Sequence, residues 1–524
     1  LRVTLPEGPL VFAPGETLKL DLQPHRLPVP PGSRVGIAVE LVRGRGSDPL
    51  WTAQHNFHVD RPAAIPLEVP LGQEEGVYEL IFNATRDGGA GWATRLRRPL
   101  NWKQTVAERR IQVLVIGPQG PSSAGGTEPS LAQVVEIDPA NPNWFERFAK
   151  VPQLPGLPRL WKGPLGNGNQ ETWQHPSLGR MVRLRPSHQA ADVSWEAYTL
   201  PIERRGKPHV LEVRYPSDVA QTLGISIVEP NAAGAVMPIG LDSGVHRVEE
   251  VTGRETQPRW LVHRIIFWPR TKTPMVLITN RQKDAPAVFG RIRVLGGWDH
   301  LPQAYPVGEG EDVRRVLAAY LDRPLFAESF SATESPVTLS DRSLDDWVTF
   351  YEGGTRLVEY LGHVGYSGLM ISVMADASTI YPSRLLEPTP RYDTGALFET
   401  GLDPARKDVL EMLLRMFDRR RLTLIPAMEF AAPLPELEAI LRQGGPAAPG
   451  LVWVGPEGKT WTQTYAPRRG LAPYYNVLHP RVQDAMLSVV REMVQRHGRP
   501  PSLGGLTLQL SAHGYAQLPG PRWG

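Results

Sequence analysis

Residues 343–510 repeat one pattern: apolar positions at helical spacing, a short polar turn, then a brief run of consecutive apolar residues ending at a polar side chain. In Asp403–Phe430, Val409, Leu410, Leu413, Leu414 and Phe417 share one helical face, and Asp403 with Pro404 suits a helix start. Asp418-Arg419-Arg420-Arg421 breaks that pattern before the apolar run Leu422–Ala427, which leads to Glu429. Upstream, Ser343 and Asp346 predict the start of a helix through Trp347, Val348, Leu357, Val358 and Leu361. Gly365-Tyr366-Ser367-Gly368 then turns the chain into a strand, Leu369–Met374, ending at Asp376. Downstream, Pro480 opens a helix with Val482, Met486, Val489, Val490, Met493 and Val494 on one side, followed by the strand Leu506–Leu510. Pro324–Ala327, ending at Glu328, reads as the first strand of the set, with Val313–Tyr320 as a short helix before it. Strands alternating with helices predict a parallel sheet, and a TIM-type (β/α) barrel is the common reason for such a series.

The first half carries a different rhythm. Residues 1–116 hold short alternating strands between Pro/Gly turns, among them Leu18, Leu20 and Leu22, then Val35–Val42, Val77–Phe82 and Ile111–Ile116, as in an Ig-like β-sandwich. Residues 117–130, GPQGPSSAGGTEPS, read as a linker. Residues 131–298 form a second β module, with strands at Arg180–Arg185, His209–Tyr215, Leu261–Trp268, Pro274–Thr279 and Val288–Leu295. Its layout resembles the galactose-binding-like jelly roll, and Trp144, Trp161, Trp195 and Trp268 offer either sugar-stacking faces or core packing. Residues 299–320 connect to a third module, 321–524.

Composition narrows the function classes. A chain of 524 residues exceeds a single core. Its 57 basic and 54 acidic side chains are interspersed, giving +3 and no basic stripe, so nucleic acid is not an expected partner. Without cysteine there is no disulfide, thiolate metal site or Cys nucleophile. No apolar run reaches the roughly 20 residues of a membrane span. HExxH, EF-hand and phosphate-loop patterns are absent, so neither metal nor other cofactor is expected.

Three segments carry a family resemblance: YDTGALFETGLDPARKDVLEMLLRMFDRRRLTLIPAMEF, YYNVLHPRVQDAMLSVVREMVQRHG and GGLTLQLSAHGYAQLPG. With them the third module resembles the barrel of family-10-like glycosyl hydrolases, bacterial proteins that join a glycosidase-type (β/α) barrel to accessory β-sandwiches. Asn476–Val482 matches the group's helix entry, and Gly505–Leu508 its strand of the form Gly-Leu-x-Leu-Asp. The resemblance implies an acid after that strand, where this chain has Gln509, and four further β/α units, so 321–524 reads as the N-terminal half of a barrel in a longer protein. An open parallel sheet of that kind is expected to aggregate or dimerise.

Chemistry in a β/α barrel collects at the carboxyl ends of the strands. That rule selects Glu429 and Glu328 as candidate catalytic carboxylates, each of which is otherwise a carboxylate satisfied by a backbone amide or Arg. Candidate sugar contacts are Asp376, Tyr381, Arg384, Tyr392 and Asp393 on the loop after the second strand. Trp453, Trp461, Tyr474 and Tyr475 follow the third strand, and Gln509, Ser511, His513, Tyr515 and Gln517 the fourth; these loops are either lids packed on themselves or ligand contacts. Three functions stay open: a secreted or extracytoplasmic glycoside-hydrolase-like protein acting on a polysaccharide, a non-catalytic carbohydrate-binding or cell-surface protein that keeps the barrel as a recognition platform, and a structural sandwich array with an inert partial barrel.

Overall fold

The computed structural model describes residues 1–30, 32–46, 48–59, 64–87, 103–118, 130–141, 164–186, 193–253, 257–303, 316–337, 342–389, 391–444, 448–460, 463, 475–510 and 514–518. The chain divides into two compact units, one of Leu1–Ser122, Pro306–Leu325 and Glu334–Gly524, the other of Ser123–Tyr305 and Phe326–Thr333.

The first unit begins as a β-sandwich. Alternation builds it: Thr17–Gln23 (TLKLDLQ) buries Leu18, Leu20 and Leu22 and exposes the residues between. That strand lies between Arg2–Thr4 and Ile65–Pro70 in a three-stranded sheet. Facing it is a five-stranded sheet in the order Val11–Phe12, Lys103–Val115, Gly76–Asp87, Arg34–Arg43, Pro49–His58. Val35, Ile37, Val39, Tyr78, Leu80, Phe82, Ile111 and Val113 fill the space between the sheets.

The same unit holds a parallel sheet in the order Ala318–Leu321, Gly368–Ala375, Thr423–Glu429, Thr507–Gln509. The helix Trp347–Val364 precedes the second strand; Asp346 caps it in a reciprocal box with Thr349, and Gly365 ends it at φ 79°. Its mid-helix Gly354 lets the next helix, Val409–Arg420, approach closely: a Cβ there would lie 3.0 Å from Met416 Sδ, and the methionine would have to give way. That helix is capped by Asp408, whose side chain accepts from the Glu411 N–H at 3.1 Å, rather than by Asp403. Asp403 instead accepts from the Ala405 N–H at 2.8 Å and faces the buried Lys407 amine at 3.6 Å, so the segment before Val409 is an ion-paired loop. Pro480–His497 is the helix before the fourth strand, with Pro at its first turn and His479 as cap.

Polar contacts join sandwich and parallel sheet within this unit. Arg419, its side chain 4% exposed, pairs with Glu75 at 2.7 Å. Arg45 reaches Asp346 at 3.1 Å, Gln112 accepts the Trp347 N–H at 3.0 Å, and the Arg110 N–H donates to the Leu402 carbonyl at 3.1 Å. Trp347 itself is fully buried.

The second unit is also a β-sandwich. One layer runs Leu165–Gly166, Ser194–Thr199, Met275–Asn280, Gln221–Pro230, Val236–Arg247. Opposite lie the sheets Trp260–Phe267, His209–Pro216, Ile292–Gly296, Ala132–Ile137 and Gln170–His175, Gly179–Leu184, Ala287–Phe289. Every pairing in it is antiparallel among the described residues.

The first strand of the parallel sheet is not where the sequence pattern places it. Val313–Tyr320 is not a helix over its described part, because Ala318–Leu321 is the strand. Pro324–Ala327 does not form a strand: Phe326–Ser329 is a helical turn belonging to the second unit. Phe326, Ala327, Phe330 and Ala332 are buried there, with Phe330 edge-on to Trp268 at 6.1 Å, so the apolar run is a plug for that sandwich. A short continuous apolar run cannot be assigned to strand or helix by periodicity alone.

Candidate functional site

Register decides which side chains of the parallel sheet meet. Tyr320 is opposite Met370, Met370 opposite Ile425, Ala427 opposite Thr507, and Glu429 opposite Gln509. Because side chains alternate between faces, these residues share one face, and Asp322 lies in the bend that directly follows the first strand. Leu369, Ile371, Leu424 and Met428 occupy the other face and are buried.

The Gln509 side-chain amide donates to the Asp322 carbonyl at 3.1 Å. The first and fourth strands are not neighbours, and four strands spaced about 4.8 Å apart would hold their edges about 14 Å from each other in a flat sheet. A glutamine spans that gap only if the sheet curls at its carboxyl-terminal edge or the bend at Asp322 turns the chain toward the fourth strand. Either way Tyr320, Asp322, Glu429 and Gln509 converge at one end of the sheet. Partial burial and the nearby Asp322 and Glu429 carboxylates raise the Tyr320 hydroxyl pKa above the usual phenol value. Gln509 Oε1 is buried and accepts no hydrogen bond.

At the tip of the second strand, Asp376 (φ 51°) and Ala377 (φ 66°) form a two-residue turn, after which Ser378–Thr379 pairs back antiparallel on Met374 and Ala375. Both residues adopt the left-handed conformation without being glycine, which costs about 1–2 kcal/mol for a residue such as alanine. The buried Tyr392 hydroxyl donates to Asp376 Oδ2 at 2.7 Å. Burial, and then the Asp376 hydrogen bond and charge, push that phenol up and keep it a donor.

Several expected sugar contacts are packing residues instead. Tyr381 is fully buried, edge-on to His497 at 5.6 Å. Asp393 is fully buried, ion-paired with Arg406 and accepting the Thr389 N–H at 2.9 Å; burial pushes its carboxyl up. Tyr475 and Tyr515 are buried against each other at 4.8 Å, the first donating to Glu438 and the second to the Ala432 carbonyl at 3.0 Å. These rings fill the space beneath their own loops. Arg384 has an exposed side chain while its N–H donates to Glu492 at 2.6 Å, and Trp453 is half-buried. Trp461, Tyr474, Ser511 and His513 lie outside the described residues, as do Trp144 and Trp161. Glu328 sits on the plug helix of the second unit and is not a strand-tip residue. Sequence reasoning missed Tyr320 and Asp322; their signal was a weak one, the four-residue strand AAYL followed by an acid.

Residues 341–499 match the family model described as glycosyl hydrolase-like 10. No curated protein matches the sequence. Among solved structures, the chain is similar to the CBM22-1–GH10 modules of Clostridium thermocellum endo-1,4-beta-D-xylanase 10B in complex with xylohexaose. That match has 9% identity, covers 65% of this chain and 53% of that one, and has a TM-score of 0.19. It is similar also to the CBM22-1 xylan-binding domain from Paenibacillus barcinonensis Xyn10C, at 7% identity over 25% of this chain and 84% of that one, TM-score 0.20. A third is a carbohydrate-binding module, CBM28, specific for non-crystalline cellulose, at 12% identity over 26% of this chain and 87% of that one, TM-score 0.18. No helix among the described residues is long and apolar enough to cross a membrane.

Proposed function

We propose that this chain belongs to an exported, polysaccharide-directed protein. In this reading an Ig-like sandwich, a linker at 117–130 and a galactose-binding-like jelly roll precede a region built on the plan of the first four units of a glycosidase-type (β/α) barrel. The reaction is acid–base hydrolysis of a glycosidic bond, with Glu429 as one of the carboxylates. One observation carries it: Glu429 faces the mouth at which Gln509, Asp322 and Tyr320 converge, at the carboxyl ends of parallel strands, where β/α sheets place their chemistry. Asp376, Arg384, Tyr392 and Trp453 belong to loops that follow these strands, and Asp376, oriented by Tyr392, is the best placed of them to hold a sugar hydroxyl.

A second reading, carbohydrate binding without catalysis, is favoured by Gln509, which stands where the family resemblance implies an acid and is engaged as a donor. One experiment separates the two. The protein is run through native gels containing soluble polysaccharides, and reducing ends are counted after incubation with the same polymers. Retardation together with sugar release, and loss of release alone in Glu429→Gln, is the hydrolytic outcome. Retardation with no release from the unmodified chain is the binding outcome, and passage unretarded and unreacting through every polymer removes both.

A further inference from the structure

We propose that Asp322 is the partner carboxylate of Glu429, the two acting on one glycosidic bond across the mouth of the parallel sheet. This rests on the hydrolytic reading above and supplies its missing half. Glycoside hydrolysis by acid and base needs two carboxyl groups flanking the scissile bond. Glu328, the partner expected from the sequence, stands on the plug helix of the second unit.

Three observations single out Asp322. Glu429 is the direct cross-strand neighbour of Gln509, and Gln509 is bonded to the Asp322 backbone at 3.1 Å, so the two acidic residues adjoin one glutamine. Neither carries a Lys or Arg ion pair among the described residues, and both carboxylates act on the hydroxyl of Tyr320. Between them, the buried Gln509 Oε1 lacks a donor. A sugar hydroxyl placed there would satisfy it, and the same sugar would lie against the exposed ring of Tyr320.

Asp376 is a poorer partner. Its left-handed backbone takes it out of the strand alternation, and one of its oxygens is held by the Tyr392 hydroxyl. Asp322 has an exposed side chain and follows the strand directly.

The chemistry balances with these two groups and water. One carboxyl passes its proton to the bridging oxygen as the bond from that oxygen to the anomeric carbon breaks, its electron pair staying on the leaving sugar. Water supplies the oxygen that ends on the anomeric carbon, and its proton returns to the carboxyl pair, so both groups are regenerated.

The test is hydrolysis by the full chain on a panel of soluble polysaccharides and 4-nitrophenyl glycosides, with kcat and KM read separately. Asp322→Asn and Glu429→Gln are each expected to lower kcat by about 1000-fold with KM within about 3-fold. The double variant is expected to be little worse than the weaker single one, and the pH profile of Asp322→Asn to lose one of its two limbs. Asp322→Glu keeps the charge but moves it by one methylene and is expected to lose about 10-fold, which guards against a folding artefact in the amide variant. Asp322→Asn retaining more than about a third of the kcat overturns this assignment while leaving hydrolysis standing. An unmodified chain that cleaves nothing on the panel overturns the hydrolytic reading and this assignment together.

Discussion

The two β-sandwiches are built by the same alternation of apolar and polar residues but use their outer faces in opposite ways. In the first, the outer face of the five-stranded sheet holds Glu79 opposite Gln112, and both are buried because the C-terminal region of the same unit covers them. Glu79 accepts from Arg110 at 3.0 Å and Gln112 at 3.2 Å, yet burial outweighs these bonds and raises its pKa. In the second sandwich, Glu212 is equally buried but lies between Arg264 at 2.9 Å and Arg293 at 2.6 Å. Burial opposes its ionisation too, but the two guanidiniums hold it below the usual carboxylate range. An outer sheet face can therefore be an interface or a surface, and the charge partners of its acids record which.

The largest expected test of that contrast is Trp347→Ala. Emptying a fully buried tryptophan site costs about 3–5 kcal/mol. In calorimetry the transition of the first unit should fall while that of the second stays in place; equal shifts in both would break the comparison. Next comes Arg419→Ala, which strands Glu75 beside a nearly buried site and is expected to cost about 2–4 kcal/mol. Arg264→Ala, removing a cation whose side chain is 69% exposed, should cost less than about 1 kcal/mol in chemical denaturation. Smaller again, and opposite in sign, is Ala377→Gly, which relieves a φ of 66° against the added entropy of the unfolded chain and should stabilise the first unit by about 0.5 kcal/mol. The smallest effect is in pH. Glu79 has a raised folded pKa, so its burial destabilises the ionised protein and the penalty is lifted as pH falls through that value. Glu212 has a lowered one, so its contribution is present above the unfolded value of 4.5 and lost as pH falls through the folded value. Glu79→Gln should flatten the acid response of the first transition, and Glu212→Gln that of the second.

What the sequence disclosed follows from where the physics is local. The second, third and fourth parallel strands are readable because each follows a capped, amphipathic helix with Gly, Arg or Gly-Pro punctuation. The first strand is not, since Ala318–Leu321 is a half-buried edge with little apolar signal, while the stronger apolar run just after it serves the second sandwich. Glu429 and Gln509 were legible as strand ends. The burial of Tyr381, Tyr475 and Tyr515 was not, because an aromatic residue on a loop looks the same whether its ring points into a cleft or beneath the loop. Asp322 joins the candidate site only through its contact with Gln509, a non-local feature.

Gln509 shows why an amide, and not an acid, suits the end of the fourth strand. A glutamate there would turn oxygen toward oxygen at the Asp322 carbonyl and add a third negative charge beside Asp322 and Glu429. The position implied for an acid is occupied by a clasp. How wide the rim stands is thereby entrusted to one side chain, and a longer or shorter residue at 509 would reset the spacing of the groups on either side without touching them.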